Sequence, residues 1–225
     1  MTGRIDTPEK SVGRKVELMG DSLGDARSIT SKGVADERAN DVIAYMSPKM
    51  GGASFVVASV QEDGGNQTQG YSASAMYKAG GLTAGAGHTK VDGAGDTTRI
   101  VGKYDFGAGA VTALVQQDKD LSGVAGADRD VWGIGGMMKT ASGAVKIQHY
   151  NAGNEGDADN TGAAMTAVGY DHKLSKRTTL YARYAQMEND DNAKYSLGGG
   201  VGDKVSAVNA GDDPSGIALG LIHKF

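Results

Sequence analysis

Four histidines are the first residues to test for chemistry, and their spacing argues against it. His88, His149, His172 and His223 are dispersed along a chain of 225 residues, and no two stand at the spacing of metal ligands on one element. A Ser/His/Asp triad assembles in space and not in sequence, so a hydrolase reading would rest on a serine within reach of one of them. Asp118-Lys-Asp-Leu-Ser-Gly123 and Asp157-Ala-Asp-Asn-Thr-Gly162 both begin like calcium loops. Their twelfth positions are Arg129 and Val168, where such a loop needs a bidentate Glu. The glycine runs Ala84-Gly-Ala-Gly-His-Thr-Lys90 and Gly198-Gly-Gly-Val-Gly-Asp-Lys204 miss the spacing that cradles phosphate. Zero cysteines exclude thiolate sites and disulfides, and a net charge of −4 gives no case for nucleic acid. No metal, cofactor or enzymatic activity is therefore expected.

What remains is charge carried on regular elements. The last ten residues, Gly216-Ile-Ala-Leu-Gly-Leu-Ile-His-Lys-Phe225, alternate large apolar side chains with small or polar ones. A period of two is the pleat of a strand. The same period predicts strands over 37–48, 52–61, 70–79, 81–91, 97–106, 109–118, 129–140, 143–151, 162–173, 177–188 and 215–225, with a strand remnant at 2–6. Thirty-six glycines argue against a helical protein. Connections alternate between short Gly-rich turns and longer polar loops, the latter at residues 62–68, 91–96, 118–130, 151–161 and 187–214. That sorting is the pattern of an up-and-down barrel and not of Greek-key crossings. Within strands one face carries Arg and Lys while the other is apolar, with aromatics near the strand ends. This suits a wall between water and lipid, although the mean hydropathy is −0.35 and no run suffices for a membrane helix.

Several stretches together resemble the Gram-negative general porin family, specifically its β-proteobacterial trimeric type. They are Gly3-Arg-Ile-Asp-Thr-Pro8, Gly13-Arg-Lys-Val-Glu-Leu-Met-Gly-Asp21, Arg38-Ala-Asn-Asp-Val-Ile-Ala-Tyr-Met-Ser-Pro48, Gly169-Tyr-Asp-His-Lys-Leu-Ser-Lys-Arg-Thr-Thr-Leu-Tyr181 and Gly220-Leu-Ile-His-Lys-Phe225. Met50 stands where the family more often has an aromatic. The resemblance implies an all-β, antiparallel, transmembrane up-and-down β-barrel over residues 1–225 as one domain. It implies a homotrimer in the outer membrane, in contact with lipid and lipopolysaccharide, that passes ions and small hydrophilic solutes. It implies that Leu219, Leu221 and Phe225 form the signal read by the outer-membrane assembly machinery, with the C-terminus on the periplasmic side. It also implies that the poorly periodic segment 7–36 folds into the lumen as a constriction loop.

A constriction selects by opposed fixed charges. Glu17, Asp21 and Asp25 are the expected acidic side, on the loop. Arg38, Arg99, Lys103, Lys139, Lys146 and Arg183 are the expected basic wall. An adhesin or structural anchor, with 187–214 as its binding surface, is the other function this architecture allows. Twelve strands are fewer than the roughly 16 of a general porin, and no signal peptide is visible. This chain is therefore expected to be part of a porin. The expected result is an open or strained wall between the first and last strands, or closure with the 7–36 loop displaced.

Overall fold

The computed structural model describes residues 2–60, 69–198 and 204–225. The expected polar loop at 62–68 and most of the glycine run at 198–204 lie outside the described residues. Twelve strands form one sheet: β1 (Thr2–Asp6), β2 (Arg38–Met46), β3 (Ala53–Val60), β4 (Gly70–Ala79), β5 (Leu82–Val91), β6 (Gly95–Asp105), β7 (Gly109–Lys119), β8 (Arg129–Thr140), β9 (Gly143–Ala152), β10 (Ala163–Lys173), β11 (Thr178–Asn189) and β12 (Ser215–His223). Their spatial order is their order in the chain. Each neighbouring pair is antiparallel, as between β10 and β11 or β6 and β7. The boundaries match the period-two reading to within about two residues. One connection differs: the segment after β5, expected to be a long loop, is a three-residue turn at 92–94.

The pleat sorts the side chains as alternation requires. Ile100, Tyr104, Val111, Val115, Trp132, Ile134, Ile147 and Leu219 are large, apolar and exposed on one face. The opposite face carries the buried polar set, including Arg99, Gln116, Asp118, Arg129, Gln148 and Arg183. Tyr45, Phe55, Tyr77, Tyr104 and Phe106 stand exposed toward the short-turn rim, and Tyr71 and Trp132 toward the other. Such an inverted distribution, apolar outside and polar within, is the signature of a membrane wall.

Segment 7–36 packs across the polar face, and it is more ordered than its sequence suggests. It holds two short helices, α1 (Pro8–Gly13) and α2 (Arg27–Thr30). Thr7 caps α1, its hydroxyl accepting from the Lys10 N–H at 3.3 Å, and Pro8 occupies the first helical position. Val12, Val16, Met19, Leu23 and Ile29 of the segment join Val101, Leu114, Tyr150, Met165 and Met187 of the wall in one apolar cluster. Small wall residues permit this approach. A Cβ on Gly87 would lie 2.7 Å from the Glu9 Cα. Gly24, at φ +87°, turns the segment directly over Ala167. No ladder joins β1 to β12 among the described residues; they are the two ends of the sheet. Among the described residues the sheet ends at β1 and β12, and segment 7–36 lies against its polar face.

Candidate functional site

The polar face and the infolded segment meet in a series of ion pairs. At the first, Asp36 accepts from Arg99 through both carboxylate oxygens, at 2.7 and 2.8 Å, and from the Thr30 hydroxyl at 2.6 Å. Glu9 lies 2.9 Å from the same guanidinium, and its other oxygen accepts from the Asp36 N–H at 3.2 Å. Arg99 also donates to Gln116 on the paired position of β7, and Gln116 donates to the Thr30 carbonyl at 2.9 Å. One register step away, Arg129 donates twice to Asp118, at 2.9 and 2.6 Å. It also donates to the Ile29 and Thr30 carbonyls, both at 3.1 Å. Those are carbonyls that the last turn of α2 leaves without helical partners. Arg129 thereby fixes the end of α2 to the wall.

Further along, Gln148 donates to Glu17 at 3.1 Å and to the Gly24 carbonyl at 2.7 Å. Glu17 also accepts from the Met19 and Ala26 N–H groups, at 2.7 and 2.9 Å, which folds the segment on itself. Lys146 donates to the Leu18 carbonyl at 2.7 Å and pairs with Asp171 at 2.6 Å; Asp171 pairs in turn with Arg183. Gly169 sits between Lys146 and Arg183 in register, and its missing side chain leaves the space the Arg183 side chain crosses.

The exposed side of the segment has a different make-up from the one expected. Asp25 is fully buried between Arg14 and Arg27, at 2.7 and 2.8 Å. Asp21 is two-thirds exposed and pairs with the same two arginines. Arg14 and Arg27 are partly exposed, and Lys15 is exposed. Residues 7–36 hold five acids, Glu9, Glu17, Asp21, Asp25 and Asp36, and five bases, Lys10, Arg14, Lys15, Arg27 and Lys32. The segment is therefore balanced in formal charge and not acidic.

The expected basic wall is likewise divided. Arg99 is 1% exposed and Arg183 2%, so both are covered. Lys146 is bound to the segment. Lys139, at the short-turn rim, donates to the Gly107 carbonyl at 2.6 Å and lies 3.7 Å from Asp105. Arg38 pairs with Asp6 at 3.3 Å beside the sheet end. Lys103 has no ion pair among the described residues. The residues missed from sequence are Glu9, Asp36, Gln116, Asp118, Arg129 and Gln148. Only the inward parity of Gln116, Asp118 and Gln148 hinted at them. Leu219, Leu221 and Phe225 are all exposed on the apolar face. The histidine rings use Nδ1 on hydroxyls of Thr98, Thr166, Tyr170 and Thr178.

Burial pushes the Glu9 carboxyl up to about 7; Arg99 opposes this but is shared with Asp36, whose charge adds to the rise. Burial also raises Glu17 to about 7, with Asp25 adding. Asp36 goes the other way: the Arg99 guanidinium and its hydrogen bonds outweigh the cost of burial and hold it below the usual range. Acids raised in the docked state bind more protons docked than free. Their contribution to docking is complete below about 4.5 and is lost as pH rises through about 7. The segment is expected to exchange its amide hydrogens faster at pH 8 than at pH 5, after correction for intrinsic rates. Glu9→Gln with Glu17→Gln should flatten that difference. Equal protection at both pH values in the unsubstituted protein would refute this.

A twelve-stranded antiparallel sheet, apolar outside and polar within, with its polar face covered by an infolded segment, has the architecture of a porin wall. The family model for Gram-negative porins matches residues 1–192, and the chain belongs to that family. Outer membrane porin protein 32 of Delftia acidovorans is 31% identical over 214 residues, covering 84% of this chain and 57% of that protein. The chain thus spans a little over half the length of this curated relative. The anion-selective porin from Comamonas acidovorans superposes with a TM-score of 0.81 at 26% identity, over 100% of this chain and 73% of that one. OmpT of Vibrio cholerae superposes with a TM-score of 0.73 at 12% identity, over 99% of this chain and 74% of that one, and shares the fold.

Proposed function

We propose that this chain forms the wall of a passive, water-filled outer-membrane channel for ions and small hydrophilic solutes, without enzymatic activity. Segment 7–36 is its constriction. The observation that carries this reading is a charged segment stapled to the polar face of a sheet whose other face is apolar and exposed. Unpaired backbone groups in lipid cost several kcal/mol each, so conduction requires both end strands, β1 and β12, to be paired. The assembly is a homotrimer with its C-terminus on the periplasmic side, in contact with lipid and lipopolysaccharide. Leu219, Leu221 and Phe225 serve as its assembly signal.

In this proposal the nine expected constriction residues have two roles. Asp21, Lys103, Lys139 and Arg38 retain exposed charge, while Glu17, Asp25, Arg99, Lys146 and Arg183 act by holding the segment. Arg14, Lys15 and Arg27 are then the charges that a permeating ion meets beside Asp21. They favour anions, in keeping with the name of the Comamonas acidovorans neighbour. Planar-bilayer recording should give ohmic conductance without cofactor and a reversal potential of anionic sign in a salt gradient. Lys15→Glu should move that potential toward the cationic side. A correctly inserted protein that passes no ions would defeat the channel reading.

A further inference from the structure

At the long-loop rim, between the end of α2 and the segment after β11, lies a cleft of about 720 Å³. Four cations line it: Arg27, Lys32, Lys194 and Lys204. Glu155 is the one carboxylate among its described lining residues. The charges are held in different ways. Arg27 is already engaged by Asp21 and Asp25. Lys32 touches Glu155 and lies 5.2 Å from the centre of the Tyr195 ring. Arg129 lies 5.9 Å from the centre of the same ring and donates to the Tyr195 hydroxyl at 3.0 Å. Even with Glu155 in contact, burial and the Arg129 charge bring the Lys32 ammonium down to about 8. Lys194 and Lys204 are exposed and have no ion pair among the described residues.

The cleft is built and not merely left over between loops. Tyr195 has two cations within cation–π reach of its ring. Asn189 holds the segment by accepting from the Tyr195 N–H at 2.8 Å and donating to the Tyr195 and Asp212 carbonyls. The Ser28 hydroxyl accepts from the Gly198 N–H at 3.1 Å, tying the segment to α2. Four cations and one carboxylate therefore line one half-open cleft, and with Arg27 and Lys32 already paired, Lys194 and Lys204 bring its uncompensated charge. Its volume is within the roughly 300–1,000 Å³ of small-molecule sites and well above what one chloride needs. Lysine ammoniums are point charges without a preferred planar partner, so the cleft reads charge number over oxyanion geometry.

We propose that this cleft binds a soluble oxyanion carrying two or more negative charges, of phosphate or carboxylate type, at the mouth above segment 7–36. An anion here shares the fields of Lys32, Lys194 and Lys204 at once, which a monovalent ion exploits less. It also adds negative charge beside Lys32, which Glu155 already touches and Arg129 repels. Binding stands apart from permeation; only its use as a capture step rests on the channel reading.

Isothermal titration of the folded protein in detergent tests this, with pyrophosphate and citrate as probes and chloride as the monovalent control. Pyrophosphate and citrate should bind and chloride should not compete at equal ionic strength. Lys194→Ala with Lys204→Ala should weaken both by about tenfold or more, while Lys176→Ala, in the turn at the opposite rim, should leave binding unchanged. Both lysines are exposed and have no ion pair among the described residues, so the double variant should fold, which circular dichroism verifies. Absence of binding, equal binding in the double variant, or stoichiometric displacement of pyrophosphate by lipopolysaccharide would overturn the proposal. The last result would make the occupant a lipid headgroup. Conductance without pyrophosphate binding removes the cleft alone, and binding without conductance removes the channel alone.

Discussion

Arg99→Met should release segment 7–36 from the wall. The guanidinium is 1% exposed and serves Asp36, Glu9 and Gln116 together. A buried ion pair adds little net stability over an apolar replacement of the whole group, because desolvation cancels much of the attraction. Removing one partner is different, since it strands the others. Asp36 and Glu9 would face each other without a counter-charge, at a cost of about 3–5 kcal/mol. The released segment should expose Arg14 and Lys15 to trypsin and raise single-channel conductance. Adding Asp36→Asn and Glu9→Gln to Arg99→Met should restore part of the protection, because no charge is then left uncompensated. Unchanged conductance and unchanged cleavage in Arg99→Met would mean that this pair does not hold the segment.

Ile134→Arg should have an equally large effect, by a different route. Ile134 lies in mid-β8, between Ala113 and His149 of the neighbouring strands, and is 57% exposed. In water an exposed Ile→Arg change on a strand is worth within about 0.5 kcal/mol. Facing lipid near the bilayer midplane it costs about 2–4 kcal/mol. Folded yield in the membrane should drop sharply for Ile134→Arg and remain normal for Ile134→Leu. Normal yield for the arginine variant would place this face in water.

The difference between the two substitutions follows what the sequence made legible. Side-chain parity is local, so Ile134 could be assigned to the apolar face from Trp132, Ile134 and Met138 alone. The strand limits followed from the same period, and glycine punctuated the turns. The helix α1 escaped because its buried side includes Glu9 and Lys10, which breaks the apolar periodicity, although Thr7-Pro8 is a helix start. The charge partners escaped for another reason. Arg99 and Asp36 are 63 residues apart, and Lys146 and the Leu18 carbonyl 128. Parity shows that Arg99 points inward, but the fold of segment 7–36 decides whether it meets water or a carboxylate. That fold rests on apolar contacts from Val12 to Ile29 spread over nearly the whole sheet.

The central claim is that segment 7–36 stands in the path of permeating ions. The chain has no cysteine, so single cysteines can be labelled without background. Asp21→Cys places a thiol on the exposed side of the segment, and Ile134→Cys places one on the apolar face. A bulky, charged, membrane-impermeant thiol reagent added during planar-bilayer recording should cut the current through Asp21→Cys in discrete steps. It should leave the current through Ile134→Cys unchanged. Full current through labelled Asp21→Cys, or block through Ile134→Cys, would contradict the account.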